Sequence, residues 1–204
     1  QEIKNTYPDT VPLVGLEHRN LHNETAALLS PQKSERSGEE TKVETLPFCH
    51  LHTHTQFSVL QSTISIPKLV QEAVSMNMPA VAITDIGNLM GAFHFVKAVN
   101  KHNKSLEEGM GNPIKPIIGI TLNVCANHLD RSHRDDGFQI VLIAKNKNGY
   151  HNLAKLTSIA HTKGFYYVPR VDRDLILNYK EDIIVLTGNL YGEVPYKVLN
   201  IGAQ

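Results

Sequence analysis

Cysteine is scarce in this chain. Cys49 and Cys125 are its only two, each set in a run that reads as strand. Two isolated thiols exclude a disulfide framework and read as reduced core thiols, so the cytoplasm is the expected compartment. An excess of charge of either sign is also missing. Lys+Arg and Asp+Glu both number 20, which removes any bulk drive toward nucleic acid or anionic membrane and leaves room only for a local basic patch. No apolar run approaches the ~20 residues of a membrane helix, so no membrane partner is expected. The first residues are polar and carry no leader pattern. There is no internal repeat and no Gly-rich phosphate loop, since Gly87 and Gly91 do not make a dinucleotide fingerprint.

What is present suffices for one ordinary domain with an extension: 204 residues, 41% of them hydrophobic. Residues 1–46 are polar and irregular. Within them, Ser30-Pro31-Gln32-Lys33-Ser34-Glu35-Arg36-Ser37-Gly38-Glu39-Glu40 reads as a flexible tether. The short apolar stretch Val11-Pro12-Leu13-Val14-Gly15-Leu16 either docks on something or turns within that tether. A domain is expected over 47–204.

From Leu46 onward strands and helices alternate. Residues 48–55 form a strand candidate. Ser65 offers an N-cap, with Pro67 in the first turn of a helix ending near Asn77. Ala80-Val81-Ala82-Ile83-Thr84-Asp85 has the continuous apolar character of a buried parallel strand. A second helix is expected over 89–101, with Phe93, Val96 and Val99 on one face. Strands are expected over 115–126, 138–144 and 182–187. Helices are expected over 149–162, closed by Gly164, over 172–179, and from 194 to 199. The alternation predicts an α/β fold of mostly parallel strands with helical crossovers, as a barrel or an open doubly wound sheet. Five strands are too few to close an ordinary barrel, so the fold is expected to continue beyond residue 204.

The most chemically suggestive segment is Phe48-Cys49-His50-Leu51-His52-Thr53-His54-Thr55. On a strand, alternate side chains share a face, which would gather His50, His52 and His54. Imidazole is the commonest metal ligand, and a catalytic metal site needs at least three good donors with one position open. Other residues at strand ends are Asp85, Thr121, Gln139 and Asn189, of which Asp85 alone is a strong donor. Two readings stand for His52 and His54: a metal pair, or a buried hydrogen-bonded pair. Asp85, followed by Gly87-Asn88, reads either as a catalytic carboxylate or as a cap for the turn. His18, His22, His102, His128, His133 and His161 read as surface or loop residues.

Taken together, these residues resemble the PHP (polymerase and histidinol phosphatase) domain, in the form found in alpha subunits of bacterial DNA polymerase III. The first motif covers Phe48 through Thr55 and continues with Gln56-Phe57-Ser58. The second is Met78-Pro79-Ala80-Val81-Ala82-Ile83-Thr84-Asp85 with Gly87-Asn88, and the third is Lys115-Pro116-Ile117-Ile118-Gly119. Ala144-Lys145-Asn146, Gly149-Tyr150, Asn152-Leu153, Gly164-Phe165-Tyr166, Pro169-Arg170 and Asp172-Arg173 extend the likeness. It runs in register from Pro47 to Gly202, with 107–112 as a loop insertion.

The resemblance implies a distorted seven-stranded α/β barrel, incomplete in this chain, and a metal cluster serving phosphoesterase or proofreading exonuclease chemistry. It places the first two family ligands on His52 and His54. The next positions fall on Gln61, Ile86, Thr121, Gln139 and Asn189, where the family carries acidic residues, histidines or cysteine. An apolar Ile86 cannot hold a metal, and the other four are poor ligands. Asp85 and His50 would then stand behind the ligands. The implied reading is a catalytically degenerate PHP unit with a scaffolding role and no resident cofactor. Zinc or manganese is expected only if the site is retained, and Mg²⁺ belongs to the parent polymerase. The implied partners are the remainder of the alpha subunit, a proofreading exonuclease domain or subunit, and DNA through the parent protein. The alternatives are an active metal-dependent phosphoesterase or 3'-5' exonuclease, and an unrelated α/β binding module.

Overall fold

The computed structural model describes residues 47–106 and 111–202. The tether expected over 1–46, and most of the loop insertion expected over 107–112, lie outside the described residues.

The chain builds a mixed α/β fold around a five-stranded sheet. In order, the elements are α1 (Ile66–Ser75), β1 (Ala80–Ile83), α2 (Ala92–Ser105), β2 (Lys115–Val124), β3 (Phe138–Ala144), α3 (Lys147–Thr162), β4 (Arg170–Val171), α4 (Arg173–Asn178), β5 (Ile183–Leu186) and α5 (Glu193–Ile201). The sheet runs β1-β2-β3-β5, and β4 pairs with β2. β1 lies parallel to β2 in the register Ala80↔Lys115 to Ile83↔Ile118, and β4 lies parallel to the far end of β2.

The expectation of mostly parallel strands gives way at β3. It is antiparallel to both β2 and β5. The reason is the connection: no helix lies between β2 and β3, and a chain that returns without a crossover pairs antiparallel.

Two hydrophobic clusters hold the layers together. In one, Leu69, Val70 and Ala73 of α1 and Phe95 and Val99 of α2 pack on Val81 and Ile83. In the other, Leu153, Leu156 and Ala160 of α3 pack on Ile120, Leu122 and Leu142. The spacing of α2 is corrected here. Phe95 is fully buried and Phe93 is 72% exposed, so the apolar stripe begins on Ala92 and Phe95. Burial of one such large side chain is worth about 1.5–3 kcal/mol.

Helix starts follow their caps. The Asn146 side chain accepts the Gly149 N–H at 3.1 Å, and Asp172 accepts the Leu175 N–H at 2.9 Å. Ser65 begins α1 through its backbone alone, its carbonyl accepting from the Leu69 N–H.

β4 was not legible in the sequence. Arg170 fixes it from inside. Its guanidinium is 1% exposed and donates to the carbonyls of Gly164 (3.1 Å), Asp135 (2.9 Å) and Asp130 (2.8 Å). It thereby ties the connection between β2 and β3 to the start of β4. The neighbouring His128 side chain bonds the Asp172 carboxylate, which also accepts the His128 backbone N–H at 3.2 Å. His128 lies in a loop, as expected, and these contacts tie that loop to the start of α4.

Candidate metal centre

The segment carrying the histidines runs beside β1 without becoming a regular strand. The Ala82 N–H donates to the His50 carbonyl at 2.9 Å, and the Thr84 N–H donates to the Thr53 carbonyl at 2.8 Å. A step of two residues, from Ala82 of β1 to Thr84 just past its end, is thus matched by a step of three on the segment, a one-residue excess of the kind that defines a bulge. The Thr53 N–H turns to the Thr84 hydroxyl, at 3.0 Å.

That irregularity separates the three histidines. The His50 ring packs edge-on against Phe48 (centroids 4.9 Å apart), and the residue is exposed. It is therefore corrected from a residue behind the ligands to a surface one. His52 and His54 stay together, with Nε2 atoms 3.1 Å apart and rings edge to face. Two nitrogens sharing one tetrahedral ion lie about 3.3 Å apart, so this separation is close to that of a metal pair.

Thr121 completes a triangle, its hydroxyl lying 3.4 Å from each Nε2. The same hydroxyl donates to the Thr84 carbonyl at 2.9 Å, so toward the imidazoles it can only accept. With one imidazole N–H lying between His52 and His54, the ring that accepts it is neutral. Burial pushes both pKa values down, and His52 adds a smaller push in the same direction on His54. Asp85 opposes it.

Asp85 itself is a clamp. Its carboxylate is 2% exposed and accepts the Thr55 N–H (2.6 Å), the Thr55 hydroxyl (2.8 Å) and the Ser58 hydroxyl (2.7 Å). Ser58 in turn accepts the Ile86 N–H at 3.0 Å. The carboxylate thus secures the turn after the histidines, not the Gly87-Asn88 turn that the capping alternative assigned to it. Gly91 packs tightly beside it, where a Cβ would lie 3.0 Å from an Asp85 oxygen and 3.1 Å from Phe57.

Ile86 continues the β1 register, bridging in parallel to Thr121. Next to it Gly87 has φ +69°, the left-handed region that favours glycine. Its carbonyl accepts from His161 Nε2 at 2.7 Å, a contact with no sequence signal.

The remaining positions do not supply strong donors. Gln61 is exposed, and its backbone N–H closes a turn onto the Ser58 carbonyl. Gln139 pairs with Asn123 two residues along from Thr121, and its Oε1 is buried without a hydrogen-bond partner. Asn189 is exposed and uses Oδ1 to accept the Tyr191 N–H at 2.9 Å. Among the described residues no three His, Cys, Asp or Glu side chains gather into a group able to hold a metal ion. Two imidazoles and a committed threonine hydroxyl do not fit a catalytic ion, which needs three good donors and a bound water. Cys125, elsewhere in the fold, donates to the Val171 carbonyl at 3.3 Å, and burial pushes its thiol up, which suits a core thiol.

The PHP domain model matches residues 50–203. DNA polymerase III subunit alpha of Chlamydia trachomatis is 40% identical over 153 residues, covering 73% of this chain and 12% of that protein. The Treponema pallidum subunit is 39% identical over 158 residues, covering 76% of this chain and 13% of its own length. The chain therefore spans about an eighth of the length of the curated relatives it matches. Among solved structures, an amidohydrolase from Chromobacterium violaceum overlaps 54% of this chain and 33% of its own, at 12% identity and a TM-score of 0.32.

Proposed function

The chain belongs to the PHP domain family, and from that premise we propose that it is the PHP unit of a replicative DNA polymerase alpha subunit in which the metal site is degenerate and the domain serves as scaffold. The observation that carries this reading is the surround of His52 and His54. Their converging Nε2 atoms meet a threonine hydroxyl already given to the Thr84 carbonyl, with Ile86 bridged alongside. The side chains there can exchange one imidazole proton, but among the described residues no carboxylate there lies free to take a proton from water, because Asp85 is held by three donors. What remains is a polar junction that fixes the His segment to β1 and β2.

On this reading the barrel is PHP-like and continues past the last strand described. DNA synthesis and its Mg²⁺ ions belong to the rest of the parent polymerase, and a proofreading exonuclease is a further partner. Among the described residues no helix is long and apolar enough to cross a membrane, and the cytoplasm is the compartment proposed. The tether–domain division at residue 46 is part of the same proposal.

A second reading, retained hydrolase or exonuclease activity, draws on the 3.1 Å approach of the two imidazoles. The test that separates them is metal content by mass spectrometry, before and after a Zn²⁺ or Mn²⁺ soak. Less than about a tenth of an equivalent is expected. One tightly held equivalent, lost in His52→Ala together with any phosphodiesterase activity, would overturn the scaffold reading.

A further inference from the structure

A groove of about 800 Å³ opens at the edge shared by α2, β2, β3 and the start of α3, and none of His52, His54 or Thr121 lines it. Its walls include Leu51, Val96, Ile117, Ile118, Ile143 and Ile184. At its rim stand Lys115, Lys145 and Lys147. Phe93 and Val96 also line a second depression of about 470 Å³ that runs along α2 past Lys97, Lys101 and Lys104. The two share Phe93 and Val96 and form one track, with apolar walls in the groove and lysines lining both parts.

The charge distribution on this track departs from the neutral whole. All six lysines are exposed, and among the described residues none lies within ion-pair distance of a carboxylate. Asp182 is the acid that feels Lys145. Glu107 and Glu108 follow α2 in sequence and lie outside the described residues. Lys97, Lys101 and Lys104 fall at i, i+4 and i+7, one stripe about 10 Å long on the helix surface. Phe93 heads the same stripe and is 72% exposed, although it belongs to no core cluster.

We propose that this groove and its lysine stripe dock an acidic amphipathic segment of a protein partner, apolar side chains entering the groove and carboxylates facing the lysines. Helix-in-groove recognition has this division of labour, with anchors at i, i+3, i+4 and i+7. The walls favour a peptide over nucleic acid. They are mainly aliphatic, whereas bases bind by stacking on aromatic faces and guanidinium planes. The inference rests on this surface alone, so it stands apart from the degenerate-site reading.

The test uses the full chain and a fluorescein-labelled helical probe of about 15 residues, with Leu at i, i+3, i+4 and i+7 and Glu elsewhere. Anisotropy should report binding that weakens with salt. A probe with Gln in place of Glu should bind at least about tenfold more weakly. K97E/K101E/K104E should lose the Glu probe by a similar factor and gain a Lys-for-Glu probe, with its circular dichroism unchanged. Phe93→Ser should weaken both probes. The proposal is overturned if Gln and Glu probes bind alike, or if a thymidine oligonucleotide, and not the peptide, binds in a lysine-dependent way. Phe93-dependent self-association in place of probe binding would overturn it too.

Discussion

The Asp85 carboxylate holds Thr55 twice, accepting its backbone N–H at 2.6 Å and its hydroxyl at 2.8 Å. Thr55 is fully buried, and it follows directly on His54. The contact therefore sets where the histidine segment ends. Asp85→Ala would strand the Thr55 N–H, the Thr55 hydroxyl and the Ser58 hydroxyl in a dry site. A loss of about 2–4 kcal/mol is expected from abandoned buried donors, read by urea denaturation. A loss below about 0.5 kcal/mol, the range of ordinary surface changes, would mean the clamp is not structural.

His52 and His54 make stability depend on pH. Burial lowers both pKa values in the folded state, so below the ordinary value of 6.5 the unfolded chain binds more protons than the folded one. The unfolding free energy then rises with pH across that window. The full contribution is present above pH 6.5. It declines as pH falls from there through the lowered folded values. Urea melts between about pH 5 and 8 should show the decline in the wild type and a flatter profile in His52→Gln/His54→Gln. An identical slope in both would remove the pair as its source.

Much of the fold was legible because burial and period agree. The apolar run ending at Ile83, the strand at Phe138–Ala144 and the capped helix after Asn146 follow from local pattern. The histidine segment was not, because a single extra residue opposite β1 breaks the alternation that would have put His50 beside His52 and His54. Phe93 misled for a related reason, since a three-residue spacing fits more than one helix face. The two-residue strand β4 has no period at all. At the site, His52 and His54 were legible as candidates. The Thr121 hydroxyl between them depends on the parallel register of β1 and β2, which no local pattern encodes.

Arg170 yields a prediction outside the site. Its guanidinium serves three carbonyls from two loops and lies 5.4 Å over the Tyr166 ring. A lysine has no planar fork with which to meet those three directions. Arg170→Lys should cost about 2–4 kcal/mol by leaving buried carbonyls unpaired. Amide exchange should rise first over 126–137, because that connection loses two of its anchors. Uniform exchange with an unchanged melting temperature would contradict this.

Ile86 offers a gain-of-function test of the degenerate site. It bridges in register to Thr121, whose hydroxyl stands 3.4 Å from both imidazoles. Paired residues on parallel neighbours present their side chains to the same face of the sheet. Ile86→His should therefore bring a third imidazole to the pair and supply the three-donor set that a zinc site requires. Competition against a chromophoric chelator should show Zn²⁺ held at least about tenfold more tightly than by the wild type, and excess Zn²⁺ should stabilise the variant in urea in proportion. Equal, tight binding by both proteins would mean that the wild-type site is already complete, and the scaffold reading would fall. Binding by neither would mean that the side chain at residue 86 does not converge on His52 and His54, and that the loss of the site involves more than its ligands. Ile86→His is the better first variant than Thr121→Glu, because Thr121 is fully buried with its hydroxyl engaged. A carboxylate forced in there would test packing before it tested metal binding.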